Sequence, residues 1–104
     1  MRAEVLKGHV DLLLLAVLAD EPAHGYRIVE LLRERSNDVL DLAEGTVYPA
    51  LYRLERQGVV TSSWSTVEGR RRRVYRLTRR GVRELAERRR AWEDFTGAVR
   101  AVLS

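Results

Sequence analysis

The stretch EGRRRRVYRLT, Glu68 to Thr78, sets Arg70, Arg71, Arg72 and Arg73 in a row, directly before residues that alternate like a β-strand. Guanidinium groups stay charged at any physiological pH and bind phosphate or carboxylate oxygens through paired N–H donors. A run of like charge is ordinarily a solvated tract. This one lies mid-chain with patterned sequence on both sides, which points to a basic surface held on a folded element. Groups for covalent chemistry are missing. The chain has no cysteine, and its two histidines, His9 and His24, lack companions at metal-ligand spacing. No Ser/His/Asp signature and no glycine-rich phosphate loop occurs. Neither an enzyme, a metal site nor a cofactor is expected. Binding to a polyanion is.

The charge distribution supports that reading. Of 104 residues, 33% are charged, with a net charge of +4. Residues 1–69 carry 7 Lys+Arg against 11 Asp+Glu, whereas residues 70–104 carry 12 Arg against 4 Asp+Glu, so a net −4 is followed by a net +8. Such asymmetry favours a polyanionic partner. The length suggests one domain with a modest core, to which self-association often adds. The longest apolar run, Leu12 to Ala19, is too short to span a bilayer. Residues 1–7 with that run make a poor leader, because Asp11 interrupts it and Asp20-Glu21 stands where small residues belong. A cytoplasmic protein without membrane contact is expected.

The elements that must position the arginines follow from periodicity. DLLLLAVLAD, Asp11 to Asp20, is apolar on every side of a helix, so it is expected to be buried on more than one face, one of them covered by a second subunit. A second helix, roughly Gly25 to Arg35, places Ile28, Leu31 and Leu32 inward and Tyr26 outward. A third, Gly45 to Gly58, has an inner stripe of Val47, Leu51 and Leu54. Thr46 is its expected N-cap, putting Pro49 in the first turn, where proline is tolerated. Tyr52 faces away from the stripe, and Tyr48 and Arg53 flank it. Val59–Ser65 and Arg72–Thr78 alternate as strands joined through Gly69, a hairpin with arginines at its tip and on its return strand. Trp64 and Tyr75 are expected to pack at the wing base and between wing and body. From Arg79 to Leu103 a long helix carries Val82, Leu85, Arg89, Trp92, Thr96, Val99 and Leu103 at heptad spacing, widened by Phe95 and Val102. One chain has little left to cover that seam.

Helix, helix, helix, hairpin, long helix is the order of a winged helix-turn-helix (residues 1–78) followed by a dimerisation helix (79–104), mainly α with one small hairpin. In this scheme the third helix enters the major groove, carrying Thr46, Tyr48, Pro49, Tyr52 and Arg53. The wing arginines would meet phosphates or a narrow minor groove. A winged helix that binds a protein is the alternative reading, and the four arginines weigh against it.

The stretches LKGHVDLLLLAVLADEPAHGYRI, GTVYPALYRLERQGVV, SW and RRRRVYRLTRRG, in this order and spacing, resemble the PadR family of bacterial transcriptional regulators, in its short form with one C-terminal helix. The resemblance implies a homodimeric repressor on an inverted-repeat operator, released by a small molecule. By position it implies DNA contacts at Tyr26, Tyr48, Pro49, Tyr52, Arg72 and Arg73. It implies an aromatic effector stacked on Trp92 at the dimer seam, with Leu12, Ala16 and Thr96 nearby. Leu85, Trp92, Phe95, Val99 and Leu103 are the expected dimer contacts.

Overall fold

The helices begin and end where side chains or backbone geometry interrupt the hydrogen-bond ladder. The computed structural model describes Leu6 and residues 8–104, so of the stretch weighed above as a leader, residues 1–5 and 7 fall outside the described residues. The elements are α1 (Val10–Asp20), α2 (Gly25–Arg35), α3 (Glu44–Arg56), β1 (Val60–Val67), β2 (Arg70–Leu77) and α4 (Arg79–Leu103). Together they make a mainly helical winged helix-turn-helix with a two-stranded wing and a long C-terminal helix. No helix among the described residues is long and apolar enough to cross a membrane.

Helix α2 stops at SND: Asn37 and Asp38 both take left-handed φ (52° and 65°), a conformation these two side chains tolerate. The Ser36 hydroxyl fastens that turn, donating to the Leu32 carbonyl (2.7 Å) and accepting from Leu40 N (2.8 Å). The start of α3 differs from the expectation. Its N-cap is Ala43, and Thr46 N already donates to the Ala43 carbonyl (2.9 Å), so Thr46 is a residue of the helix. Pro49 therefore lies in the second turn, where it cannot donate to Gly45 and costs about 3 kcal/mol against an ordinary residue.

The wing also departs from the expected bounds. Glu68 and Gly69 alone form the turn, with φ of 51° and 77°. Two successive positive φ values suit the right-handed twist of a tight hairpin. The strands therefore reach the turn, pairing Val67 with Arg70 and Trp64 with Arg73, and all four arginines belong to β2. Beyond the wing, Ala23 bridges to β2: Ala23 N donates to the Tyr75 carbonyl (3.0 Å) and Tyr75 N to the Ala23 carbonyl (2.9 Å).

Helix α1 is the centre of the molecule, packed by α2, α3, β2 and α4 of its own chain. That answers its all-round apolarity. Leu14, Leu15, Val17 and Leu18 are buried, and Leu12, Leu13 and Ala16 are half-buried without any second subunit. Tyr75 is the largest fully buried side chain. Its hydroxyl has no partner among the described residues, and burial pushes its pKa up to about 12, so it stays a neutral phenol. Helix α4 enters the body at its first two turns and stays against the start of α1 as far as Arg88 and Trp92. Thr78 caps it, its hydroxyl accepting from Gly81 N (3.0 Å) and donating to the Gly58 carbonyl (2.7 Å). Gly81 and Leu85 are buried. The rest of this 25-residue helix, about 38 Å in all, runs along and beyond the body.

Candidate nucleic-acid interface

Ion pairing separates the arginines into two groups. Arg27 is ringed by Glu21 (3.8 Å), Glu30 (3.7 Å) and Glu34 (3.2 Å); Arg33 meets Asp41 (3.4 Å), and Arg35 meets Asp20. Exposed pairs of this kind add about 0–1 kcal/mol each, but they do cancel the charge of the body. Arg70, Arg71 and Arg72 have no ion-pair partner among the described residues. The wing therefore keeps its charge.

The pleat of β2 turns these side chains in two directions. Arg70 and Arg72 line a cleft of about 650 Å³ between the wing and the start of α2, together with His24, Tyr26 and Arg27. Arg72 is half-buried there. Burial, and next the charge of Arg72, hold the pKa of His24 below its ordinary value. His24 is the N-cap residue of α2 but makes no side-chain cap; its ring stacks on Tyr26 at 6.4 Å. Arg71 and Arg73 occupy the other face, beside Trp64.

The α3 residues divide in a similar way. Thr46, Pro49 and Tyr52 are exposed, Tyr52 at 51%, and Tyr26 on α2 is 50% exposed. Pro49 and Tyr52 lie about 60° apart on the helix and so share a side. Tyr48 is half-buried. Its ring covers Gly25 so closely that a Cβ there would fall 2.5 Å from the ring. Burial, then the charge of Glu44, raise its pKa. Tyr48 therefore braces α3 against α2 with one side of its ring, while Tyr52 stands free 6.3 Å away. Arg53 is not free: it pairs with Asp11 on α1, which ties α3 to the central helix.

At the other end, α4 exposes Trp92 (39%), Phe95 (59%), Val99 (38%) and Leu103 (80%). Leu85 does not belong with them. At 6% exposure it packs in the core of its own chain and is not available to a partner. Trp92 and Leu12 line a cleft of about 250 Å³ with Gly8, His9, Arg88, Ala91 and Phe95. The His9 ring meets Trp92 edge-on at 4.9 Å, and Arg88 is held by Glu84 (3.0 Å) and Asp11 (3.9 Å). Ala16 and Thr96 do not line the cleft, and the Thr96 hydroxyl is spent on the Trp92 carbonyl (2.9 Å). His9 and Arg88 are the additions that periodicity missed. Arg88 was within reach of inference, one helical turn before Trp92. No group of side chains suited to a metal ion occurs among the described residues.

Comparison with known proteins places this geometry in a family. Residues 14–87 match the transcriptional regulator PadR-like family. A transcriptional regulator of Mycobacterium tuberculosis is 40% identical over 96 residues, covering 92% of this chain and 87% of its own. The crystal structure of a PadR family transcriptional regulator from Eggerthella lenta superposes with a TM-score of 0.84 at 33% identity, over 97% of this chain and 87% of that one. A PadR family regulator from Clostridium difficile gives 0.82 at 31% identity, over 93% and 100%. The matched segment runs from within the central helix α1 through α2, α3 and the wing into the first turns of α4, and the chain belongs to the PadR-like family of transcriptional regulators.

Proposed function

We propose that the protein is a homodimeric repressor that binds an inverted-repeat operator and is released by a small aromatic effector. The observation that carries the DNA reading is the set of wing arginines, unpaired among the described residues, on the same folded unit as the exposed Tyr26, Thr46, Pro49 and Tyr52. Helix α3 lies in the major groove, with Pro49 and Tyr52 against base edges and sugar. Arg70, Arg71 and Arg72 neutralise phosphates beside it, and Tyr26 adds a hydroxyl contact to the backbone. Pro49 fits this role: a costly residue retained mid-helix on an exposed face is better explained by what it touches than by stability.

The apolar face of α4 is the proposed dimer surface. Phe95, Val99, Val102 and Leu103 are exposed at helical spacing, a patch of the kind that marks an interaction site. The double substitution Phe95→Glu with Val99→Glu should leave the wild-type dimer mass in sedimentation equilibrium reduced to one chain. Affinity for a duplex from the protein's own promoter should fall at least about tenfold, because two linked half-sites become two independent ones. A wild-type chain that sediments as a monomer, or a variant still dimeric, would contradict the proposal. The effector stacks on Trp92 in the 250 Å³ cleft and changes the spacing of the two α3 helices. An effector response that survives Trp92→Ala would rule that role out.

A further inference from the structure

Trp64 is expected to pack, yet it is 56% exposed on the wing. It is also not alone. The Arg71 guanidinium lies 5.2 Å from its ring centre and that of Arg73 5.9 Å, both within the range at which a cation is drawn to an aromatic face. The register explains the grouping: Trp64 is directly opposite Arg73, and Arg71 is the next residue along β2 on the same face. Two like charges at that spacing repel. An indole beside both offsets the repulsion and limits the rotamers of each.

The row continues inward to the helix. Arg73 Nε donates to the Ser62 hydroxyl (2.7 Å), and that hydroxyl donates to Glu55 Oε2 (2.7 Å) on α3. Arg73 also lies 3.7 Å from Glu55 Oε1. Glu55, Ser62, Arg73, Trp64 and Arg71 thus form an unbroken line from α3 to the outer part of the wing. Glu55, Ser62 and Arg73 are tied to one another by hydrogen bonds and an ion pair, whereas Trp64 takes part through its ring face. Arg71 is the one charged member with neither an ion pair nor a hydrogen bond among the described residues. Arg73 is therefore a strut, although the sequence marks it as equal to its neighbours.

We infer that Trp64 is a positioning residue, holding Arg71 ready for a DNA phosphate, from a wing that Arg73, Ser62 and Glu55 anchor to α3. The inference rests on the DNA reading above. Its physical basis is preorganisation: arginine has one of the largest rotamer entropies of any side chain, and ordering it beforehand removes that cost from the binding step. The two contact surfaces are then presented at one spacing rather than at many.

The test is a set of titrations at low salt onto a labelled duplex from the protein's own promoter, with Trp64→Leu, Trp64→Phe, Arg71→Ala and the Trp64→Leu/Arg71→Ala double variant. Leucine keeps the apolar bulk and loses the π face; phenylalanine keeps a weaker one. Trp64→Leu should weaken binding about fivefold, and Trp64→Phe should recover about half of that loss on a logarithmic scale. Arg71→Ala should weaken binding about tenfold, and adding Trp64→Leu to it should change little, because Trp64 acts through Arg71. In the free protein, NMR relaxation of the Arg71 side-chain Nε–H should show it becoming mobile in Trp64→Leu and staying ordered in the wild type. Equal affinity of wild type and Trp64→Leu would overturn the inference while leaving the DNA reading intact. So would losses that multiply in the double variant, since Trp64 would then touch DNA itself. Failure of the wild type to bind the duplex would overturn both.

Discussion

Replacing Arg71 and Arg72 together by alanine should weaken binding to the promoter duplex by about a hundredfold near physiological salt. Each loss removes one charge-assisted hydrogen-bonding group worth about 1.5 kcal/mol or more. The slope of log affinity against log salt should become shallower by about two for each wing on the duplex, since each phosphate contact releases close to one counterion. The two residues lie on opposite faces of β2, so the pair tests whether the wing is gripped on both sides. Neither has an ion pair to lose among the described residues, so melting should be almost unchanged. Arg53→Ala makes the contrast. Its guanidinium is committed to Asp11, so its removal should act on stability, within about 1 kcal/mol, more than on the salt slope. A double wing variant with wild-type affinity and slope would mean that the wing does not meet DNA.

Gly81→Ala should lower stability by about 3 kcal/mol, even though alanine is the better helix former by about 1 kcal/mol. Gly81 lies in the first turn of α4, pressed against the backbone between α3 and β1. A Cβ there would fall 2.0 Å from the Val59 carbonyl oxygen, and backbone at this junction cannot swing aside. The same carbonyl accepts from Thr78 N (3.2 Å), so moving it also strains the cap of α4. For a chain of this length the loss corresponds to a fall in melting temperature of roughly 10–20 °C. Gly97→Ala, further along the same helix with open space around the Cβ position, should be neutral or slightly stabilising. Equal melting of Gly81→Ala and wild type would show that the junction is looser than its geometry.

How the sequence and the structure relate is clearest at the wing. Alternation identified both strands, and Gly69 marked the turn. The turn was placed too broadly because Glu at its first position is no strong hairpin signal, whereas Asn or Asp before Gly is. Once the turn is known to be Glu68-Gly69 alone, the register follows, and with it the pairing of Trp64 with Arg73. The exposure of Trp64 was hidden for another reason. Pattern reasoning assigns large aromatic residues to a core, while here two guanidiniums provide the partner.

Helix α1 shows the opposite limit. Its apolarity on all sides was plain, but the number of elements packed around it depends on the tertiary arrangement, and its own chain supplies most of the cover. Leu85 fell to the same ambiguity, since a heptad stripe reads identically whether it faces the body or a partner. The start of α3 misled because a threonine near a helix start is a strong cap signal. Ala43, with no side-chain oxygen, takes the position, and the Thr46 and Val47 N–H groups reach its carbonyl instead. Arg53–Asp11 had no trace in local spacing because it joins elements far apart in the chain, and Glu55–Ser62–Arg73 because it joins three consecutive elements whose side chains meet only once the wing folds back on α3.

The central claim is that the wing and α3 together recognise a particular duplex. The most direct measurement is a titration of the wild-type protein onto a duplex from its own promoter and onto a scrambled duplex of the same composition, at low and at near-physiological salt. The account predicts binding to both at low salt and persistent tight binding to the promoter alone at near-physiological salt. Absence of binding to either duplex at low salt would contradict it.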